Sequence, residues 1–598
     1  MPLKHSIVSI AILALAQATV VHAQADAGDF TKSVTIEKDV GIAMRDGTRL
    51  SADIYRPDKS GTFPALILRT PYNKAAPDEV EASAWYARKG YVVINQDVRG
   101  RFASAGTFYT FRNETGDGAD TIAWIERQPW FNGRIGTLGG SYLGYTALTQ
   151  AIRAPKSLRS IATDVTTSAV HNQWVYVDGA FVLGFGLPWG AGLVNGRDMS
   201  GGGAFVKGEA YQHLPLAEAD AAQLVPNSAY RDWLHNPSRN SPYWKSVSLE
   251  NQISKVKAPV LLISGWYDIF LRGALNDYAQ LVKRGSSRIA RTQSRLIIGP
   301  WTHFKTNAPR LSSTTLPLQG ADRATDFGPS AELSGAQVYL RWHDHWLKDM
   351  ENGVGKDARI KLFVMGENRW RDEQEWPLAR TRYKTYFLDS GGQANTVSGN
   401  GTLSLERPRG ATADRYRYNP ADPTPTLGGN ICCSSVPSGP RNHAPIESRR
   451  DVLVYSTPPL ENSVEVTGPI RARIFASTSA RDTDWVVRLL DVGPDGFARN
   501  LQDGIVRARW RRGMSKHPSL VRPDAVIAYD IDLWATSNLF LPGHRIRVEI
   551  TSSNFPRFDR NLNTGEDPSH ATRMVVADQA VYHSSRYPSH ITLPIIPR

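Results

Sequence analysis

The chain has 598 residues, with 70 Lys+Arg against 57 Asp+Glu and a hydrophobic share of 41%. That length suggests several domains, and the composition excludes both a wholly disordered chain and a collagen-like repeat. The net charge of +13 is scattered, and the densest basic runs, Arg507 to Arg512 and Arg545 to Arg547, alternate with apolar residues as strands do. A basic surface is therefore expected, with no nucleic-acid partner.

In chain order, residues 1–23 read as a secretory signal peptide. Lys4 and His5 form the positive start, Ser6 to Val21 the apolar core, and Val21-His22-Ala23 the small-residue cleavage site. This apolar run falls short of the roughly 20 residues that span a bilayer. No later run is longer, so an exported protein, periplasmic or extracellular, without an integral membrane segment is expected.

Ser33 to Tyr55 alternates as hairpin strands around the Asp46-Gly47 turn. Apolar runs then read as buried strands: Ala65 to Leu68, Val92 to Asn95, Ile135 to Leu138, Val260 to Ile263 and Leu296 to Ile298. Helical stretches lie among them at Glu79 to Arg88, Ala119 to Arg127 and Gly144 to Ala154. Strand alternating with helix implies a parallel sheet covered on both faces. The expected α/β core comprises residues 33–163 and 258–355, closed by a helix at Gln337 to Leu347. Residues 164–257, rich in Trp, Tyr, Gly and Ala, interrupt it as an inserted helical cap. Residues 360–598 carry recurrent strand-like runs, starting at Lys361 to Val364, and read as an all-β jelly-roll domain. Cys432 and Cys433 are adjacent and are the two cysteines of the chain, so they either close a ring or remain thiols.

Chemistry concentrates where strands end. Gly139-Gly-Ser141-Tyr-Leu-Gly144 joins a buried strand to a helix, and small residues there let a serine hydroxyl project above the sheet. The last glycine stands one place later than in G-x-S-x-G. A second strand ends in Gly265-Trp-Tyr-Asp268 and a third in Gly299-Pro-Trp-Thr-His303. The order Ser, Asp, His is that of an α/β-hydrolase. Serine is a weak nucleophile and needs a base, here His303, which Asp268 would orient. The oxyanion of acyl transfer needs donors. The backbone N–H of Tyr142 is one, and Tyr72 after the first strand is either a second or a packing residue. Trp174, Trp189, Trp266, Phe270 and Trp301 are candidate pocket walls.

Several motifs are set aside. His343-Asp-His345 places its imidazoles off one helix face. Asp559 to Asn563 lacks the glycine and glutamate of a calcium loop. Gly201 to Gly203 lacks the strand-to-helix context of a phosphate loop. Arg99 and Arg101, near Asp97, are either substrate-facing or, as is commoner, structural salt-bridge residues.

These motifs together resemble the CocE/NonD family of serine hydrolases, which includes cocaine esterases, α-amino acid ester hydrolases, glutaryl-cephalosporin acylases and Xaa-Pro dipeptidyl peptidases. The resemblance rests on Arg69-Thr-Pro-Tyr72, Gln96 to Arg101, the Gly139 to Gly144 elbow, Gly265 to Asp268, Gly299 to His303 and Asp344 to Lys348. In the C-terminal part it rests on Gly428-Gly-Asn430, Asp451 to Tyr455, Asp482-Thr-Asp484 and Ser553 to Asp559. It implies an α/β-hydrolase core with an inserted helical cap and a C-terminal jelly roll. It also implies Tyr72 as oxyanion donor and a small-molecule ester or amide substrate, with no cofactor or metal. A homo-oligomer stays open. One departure stands out: where α-amino acid ester hydrolases carry acidic residues after the triad Asp, this chain has Ile269, Phe270 and Leu271. The readings are thus an exported serine esterase, an amidase, acylase or Xaa-Pro dipeptidyl peptidase, or a carbohydrate-binding protein using its jelly roll.

Overall fold

The computed structural model describes residues 33–153, 155–194, 208–223, 227–303 and 327–598. The expected signal segment and Gly201 to Gly203 lie outside these residues.

The N-terminal part opens with β1 (Val34–Ala43) and β2 (Arg49–Pro57), followed by β3 (Phe63–Thr70), α1 (Pro77–Arg88) and β4 (Val92–Asp97). Next come α2 (Glu114–Ile125), β5 (Phe131–Gly140), α3 (Ser141–Arg153) and β6 (Leu158–Asp164). After a small β7 (Tyr176–Val177) and β8 (Ala180–Phe181) hairpin, α4 (Leu183–Val194), α5 (Ala219–Gln223), α6 (Ser228–His235) and α7 (Pro242–Val247) form the insertion. The core resumes with β9 (Val260–Tyr267), α8 (Leu271–Arg284), α9 (Arg288–Gln293), β10 (Arg295–Thr302) and α10 (Gly335–Lys348). Two further strands follow, β11 (Ile360–Val364) and β12 (Arg369–Glu373).

The sheet order is β1-β2-β4-β3-β5-β6-β9-β10-β11-β12. From β4 to β11 every neighbouring pair is parallel. Helices cover both faces, so the central strands are apolar throughout: all eight residues of β9 are buried. β5, β9 and β10 thereby point their carboxyl ends the same way, with only β6 between β5 and β9. The fold class is the expected one, an α/β core with helical insertions and a distinct β-rich C-terminal domain.

Lys361 to Val364, expected as the first strand-like run of the C-terminal part, joins the core sheet. It pairs in parallel with β10, Leu296 opposite Ile360, and β12 pairs antiparallel beyond it. A short apolar run does not encode which sheet it joins.

The C-terminal sheet has eleven strands, the longest pairing being Val464–Thr478 with Ile527–Phe540. Buried charge ties this domain to the insertion. Arg507 bridges Asp484 at 2.8 Å and Asp559 at 2.9 Å, and Asp559 also accepts the Phe181 N–H at 2.8 Å. Removing one partner of such a cluster strands the other charges away from water. An R507M variant is expected to lose about 3–5 kcal/mol of stability, read from urea unfolding midpoints. A loss below about 1 kcal/mol would contradict this account.

Candidate active site

The turn after β5 is built around strained backbone. Ser141 sits at φ 54°, a left-handed conformation that a non-glycine residue rarely adopts without compensation. The strain places its hydroxyl above the sheet at the start of α3. Glycine at 144, one place late in the motif, has a steric cause. A Cβ there would lie 2.6 Å from Thr166 Cγ2 and 2.9 Å from the Gly139 carbonyl oxygen. Thr166 in turn donates its hydroxyl to the Ser141 carbonyl at 2.8 Å.

Asp268 follows β9 and is fully buried; His303 follows β10 and is 6% exposed. The His303 Nδ1 lies 2.9 Å from Asp268 Oδ1, and its Nε2 lies 3.0 Å from Ser141 Oγ. A carboxylate only accepts, so Nδ1 carries the hydrogen and Nε2 presents its lone pair to the serine hydroxyl. Asp268 Oδ2 accepts the Ser264 hydroxyl at 3.1 Å.

Tyr72 lies in the turn after β3. Trp189, from the inserted α4, donates its indole N–H to the Tyr72 hydroxyl oxygen at 3.1 Å. Burial pushes the Tyr72 phenol up to about 12, against opposing contributions from Trp189, Arg101 and the hydroxyl of Ser141. The phenol therefore keeps its proton as a donor near the serine. Its turn is held by Asp97, which accepts the N–H of Lys74 at 2.8 Å and of Ala103 at 3.3 Å. Arg101 donates to the Pro71 carbonyl at 2.9 Å. Lys74 pairs with Asp53 at 2.7 Å and Asp39 at 2.8 Å.

Tyr142, next to the serine, sends its phenol into the core. The phenol donates to Glu114 at 3.0 Å and accepts the Phe111 N–H at 2.9 Å. Glu114 is paired with the buried Arg69 at 3.0 Å, and burial pushes its carboxyl up to about 7, with Arg69 opposing. The backbone at 142 is thus anchored through its own side chain.

Three of the expected pocket residues meet beside the serine. Trp174 lies 4.0 Å from Phe270 and 5.5 Å from Trp189, between ring centroids, and Phe270 lies 5.3 Å from the His303 ring. Phe111 and Phe185, which the sequence did not single out, complete this box at 5.2 Å from Trp174 and 4.8 Å from Trp189. Their apolar context resembled that of dozens of core residues. The other two expected walls are elsewhere. Trp266 donates to the Phe363 carbonyl at 2.8 Å and faces Trp376, while Trp301 donates to the Ala331 carbonyl at 2.9 Å and faces Trp370. Both are buried among these partners, apart from the aromatic cluster beside the serine.

Arg99 makes ion pairs with Asp117 at 2.6 Å and Asp46 at 2.8 Å, whereas Arg101 makes none among the described residues. His343 Nδ1 lies 2.9 Å from the Ser160 hydroxyl, beneath the sheet. Cys432 and Cys433 are disulfide-bonded. Among the described residues no cluster of three His, Cys, Asp or Glu is placed to hold a metal, and no helix is long and apolar enough to cross a membrane.

A strained serine, a histidine and a carboxylate at the carboxyl ends of parallel strands of one sheet define a serine hydrolase of the α/β-hydrolase fold. Comparison with known proteins narrows the class. The profile of the X-Pro dipeptidyl-peptidase (S15) family matches residues 46–305, and that of the X-Pro dipeptidyl-peptidase C-terminal non-catalytic domain matches residues 352–592. Cocaine esterase of Rhodococcus sp. (strain MB1 Bresler) is 36% identical over 588 residues, covering 94% of this chain and 99% of the relative. The solved structure of an aminopeptidase from the marine sediment archaeon Thaumarchaeota archaeon superposes with a TM-score of 0.80 at 25% identity, covering 97% of this chain and 99% of that one. An α-amino acid ester hydrolase shares the fold with a TM-score of 0.77 at 23% identity, covering 97% of this chain and 100% of that one. The chain belongs to the CocE/NonD family of serine hydrolases.

Burial pushes the Asp97 carboxyl up to about 6, with the Lys74 and Ala103 N–H groups opposing. Between about pH 4 and 6 the folded chain holds a proton that the unfolded chain has released. The contribution of Asp97 to stability is therefore greatest below about pH 4 and falls as pH rises through 6. Relative to a D97N variant, wild-type stability should drop on the order of 3 kcal/mol from pH 4 to pH 7 and then level off. Urea unfolding at a series of pH values checks this; a flat difference would contradict it.

Proposed function

We propose that this serine hydrolase cleaves small acyl esters through Ser141, His303 and Asp268, with Tyr72 and the Tyr142 N–H as oxyanion donors. The observation that carries this reading is the continuous hydrogen-bonded chain from Asp268 through His303 to Ser141. His303 Nε2 takes the serine proton as Oγ attacks the acyl carbonyl, and Asp268 stabilises the resulting imidazolium. The developing oxyanion accepts from the Tyr72 phenol and the Tyr142 backbone. His303 then protonates the leaving alcohol, and the acyl-enzyme remains. A water deprotonated by His303 attacks that ester, and Ser141 leaves with the proton returned. These residues complete the cycle without calling on a cofactor.

The box of Phe111, Trp174, Phe185, Trp189 and Phe270 supports aromatic or alicyclic groups in the substrate. The cocaine esterase relative supports ester over amide cleavage. The aminopeptidase neighbour and the X-Pro dipeptidyl-peptidase profile keep amide cleavage, including an Xaa-Pro peptide, as the second reading. Against it, Ile269, Phe270 and Leu271 are all buried after Asp268, and an apolar wall does not hold an ammonium group. We also propose export, on the strength of the N-terminal segment. Sugar binding by the β domain is the reading of another class, and glycan binding without turnover would favour it.

An S141A variant should lose both fluorophosphonate labelling and p-nitrophenyl ester turnover while keeping wild-type circular dichroism. Labelling that persists in S141A would refute the assignment. A Y72F variant should lose about 10²–10³-fold in kcat, the usual cost of one oxyanion donor; a kcat within threefold of wild type would leave Tyr72 a packing residue. The kcat/KM for an α-amino acid ester should lie within about tenfold of its deaminated analogue, a span of about 1.4 kcal/mol. A larger preference for the amino ester would reverse the reading of the pocket.

A further inference from the structure

β9 ends in a tight turn in which Asp268 donates its N–H to the Gly265 carbonyl at 3.0 Å and Leu271 donates to the Asp268 carbonyl at 3.2 Å. The carbonyl groups of Trp266 and Asp268 face the C-terminal domain. Asn430, 2% exposed, donates Nδ2 to both, at 3.0 Å and 2.9 Å. Gln502, also 2% exposed, donates Nε2 to the Trp266 carbonyl at 2.5 Å. Between the two carbonyls, the Tyr267 hydroxyl donates to the Asn500 carbonyl at 3.0 Å.

The orientation of both amides is chemically forced, because each meets carbonyl oxygens that can only accept. Asn430 Oδ1 and Gln502 Oε1 are buried without a hydrogen-bond partner. Leaving an acceptor unpaired is unfavourable, so the two side chains are placed for what their N–H groups hold. The loop that carries Asn430 is closed on itself: Gly429 donates to the Gly439 carbonyl at 2.7 Å, and Gly439 donates to the Gly429 carbonyl at 3.0 Å. At its other end, a Cβ on Gly439 would stand 3.0 Å from Thr302 Cγ2, beside His303. One loop of the β domain therefore seats the backbone of the acid and abuts the residue before the base.

We propose that Asn430, supported by Gln502, is a positioning residue for Asp268. The C-terminal domain, whose family profile is described as non-catalytic, thereby sets the geometry of the active site. The inference rests on the triad assignment above. The Asp268 carboxylate reaches His303 only from a fixed main chain, and a turn released from the β domain lets it drift. Misplacement of about 1 Å in such a constellation costs about 10²-fold in rate.

The test is a double-mutant cycle of N430L, which keeps the branched side-chain shape and removes both donors, with D268N. Turnover of a p-nitrophenyl ester and the rate of fluorophosphonate labelling are read for all four proteins, with labelling at high probe concentration covering the slow ones. N430L alone should lower kcat at least tenfold with KM within threefold. In the D268N background it should change the rate less than twofold, because the acid it positions is gone. Equal losses in both backgrounds, or an unchanged kcat in N430L, would overturn the proposal. If N430L does not fold, Q502M, which removes one donor, takes its place, with a loss of at least threefold that again vanishes in D268N. Failure of the triad reading is separate: it shows as wild-type protein that does not label, or as labelling that survives S141A.

Discussion

Ser141 holds a backbone conformation that side chains avoid, with φ at 54°. Its hydroxyl stands above the sheet only because that strain is over-determined by its neighbours. Gly144 leaves room for Thr166, which caps the serine carbonyl, and the Tyr142 phenol is pinned to Glu114 and Phe111. The serine is thus held in place by its neighbours. Preorganisation of this kind avoids reorientation during the chemical step.

The three structural parts divide the remaining work. The parallel sheet brings the ends of β5, β9 and β10 within hydrogen-bonding reach. The insertion supplies Trp174, Phe185 and Trp189, and through Trp189 it also touches the Tyr72 hydroxyl. The C-terminal domain grips the carbonyls on either side of Tyr267.

Much of the buried charge is paired. Arg69 with Glu114, Lys74 with Asp53, Arg507 with Asp484 and Asp559, and Arg557 with Asp503 are buried as partners. An isolated charge is expensive away from water, and pairing offsets most of that cost. Two of these pairs, Arg69 with Glu114 and Lys74 with Asp53, lie behind Tyr142 and the turn that carries Tyr72.

The parallel core, the elbow and the order of serine, acid and base were legible in the residues, because each depends on local spacing: an apolar run, a turn of glycines, a polar residue at a strand end. Trp174, Trp189 and Phe270, expected as pocket walls, meet beside His303, whereas Trp266 and Trp301, expected with them, do not. Which buried aromatic rings gather beside the serine is a tertiary fact. The same holds for Ile360–Val364, whose apolar pattern suits either sheet and whose partner, β10, is chosen by packing. Asn430 shows the limit most clearly. Its motif was visible in the sequence, but its purpose was not, since its two partners lie more than 160 positions away. Sequence by itself determined which chemistry the chain can perform. Only the tertiary structure decided which distant side chains hold that chemistry in register, because hydrogen bonds and packing act through space and leave no periodic trace along the chain.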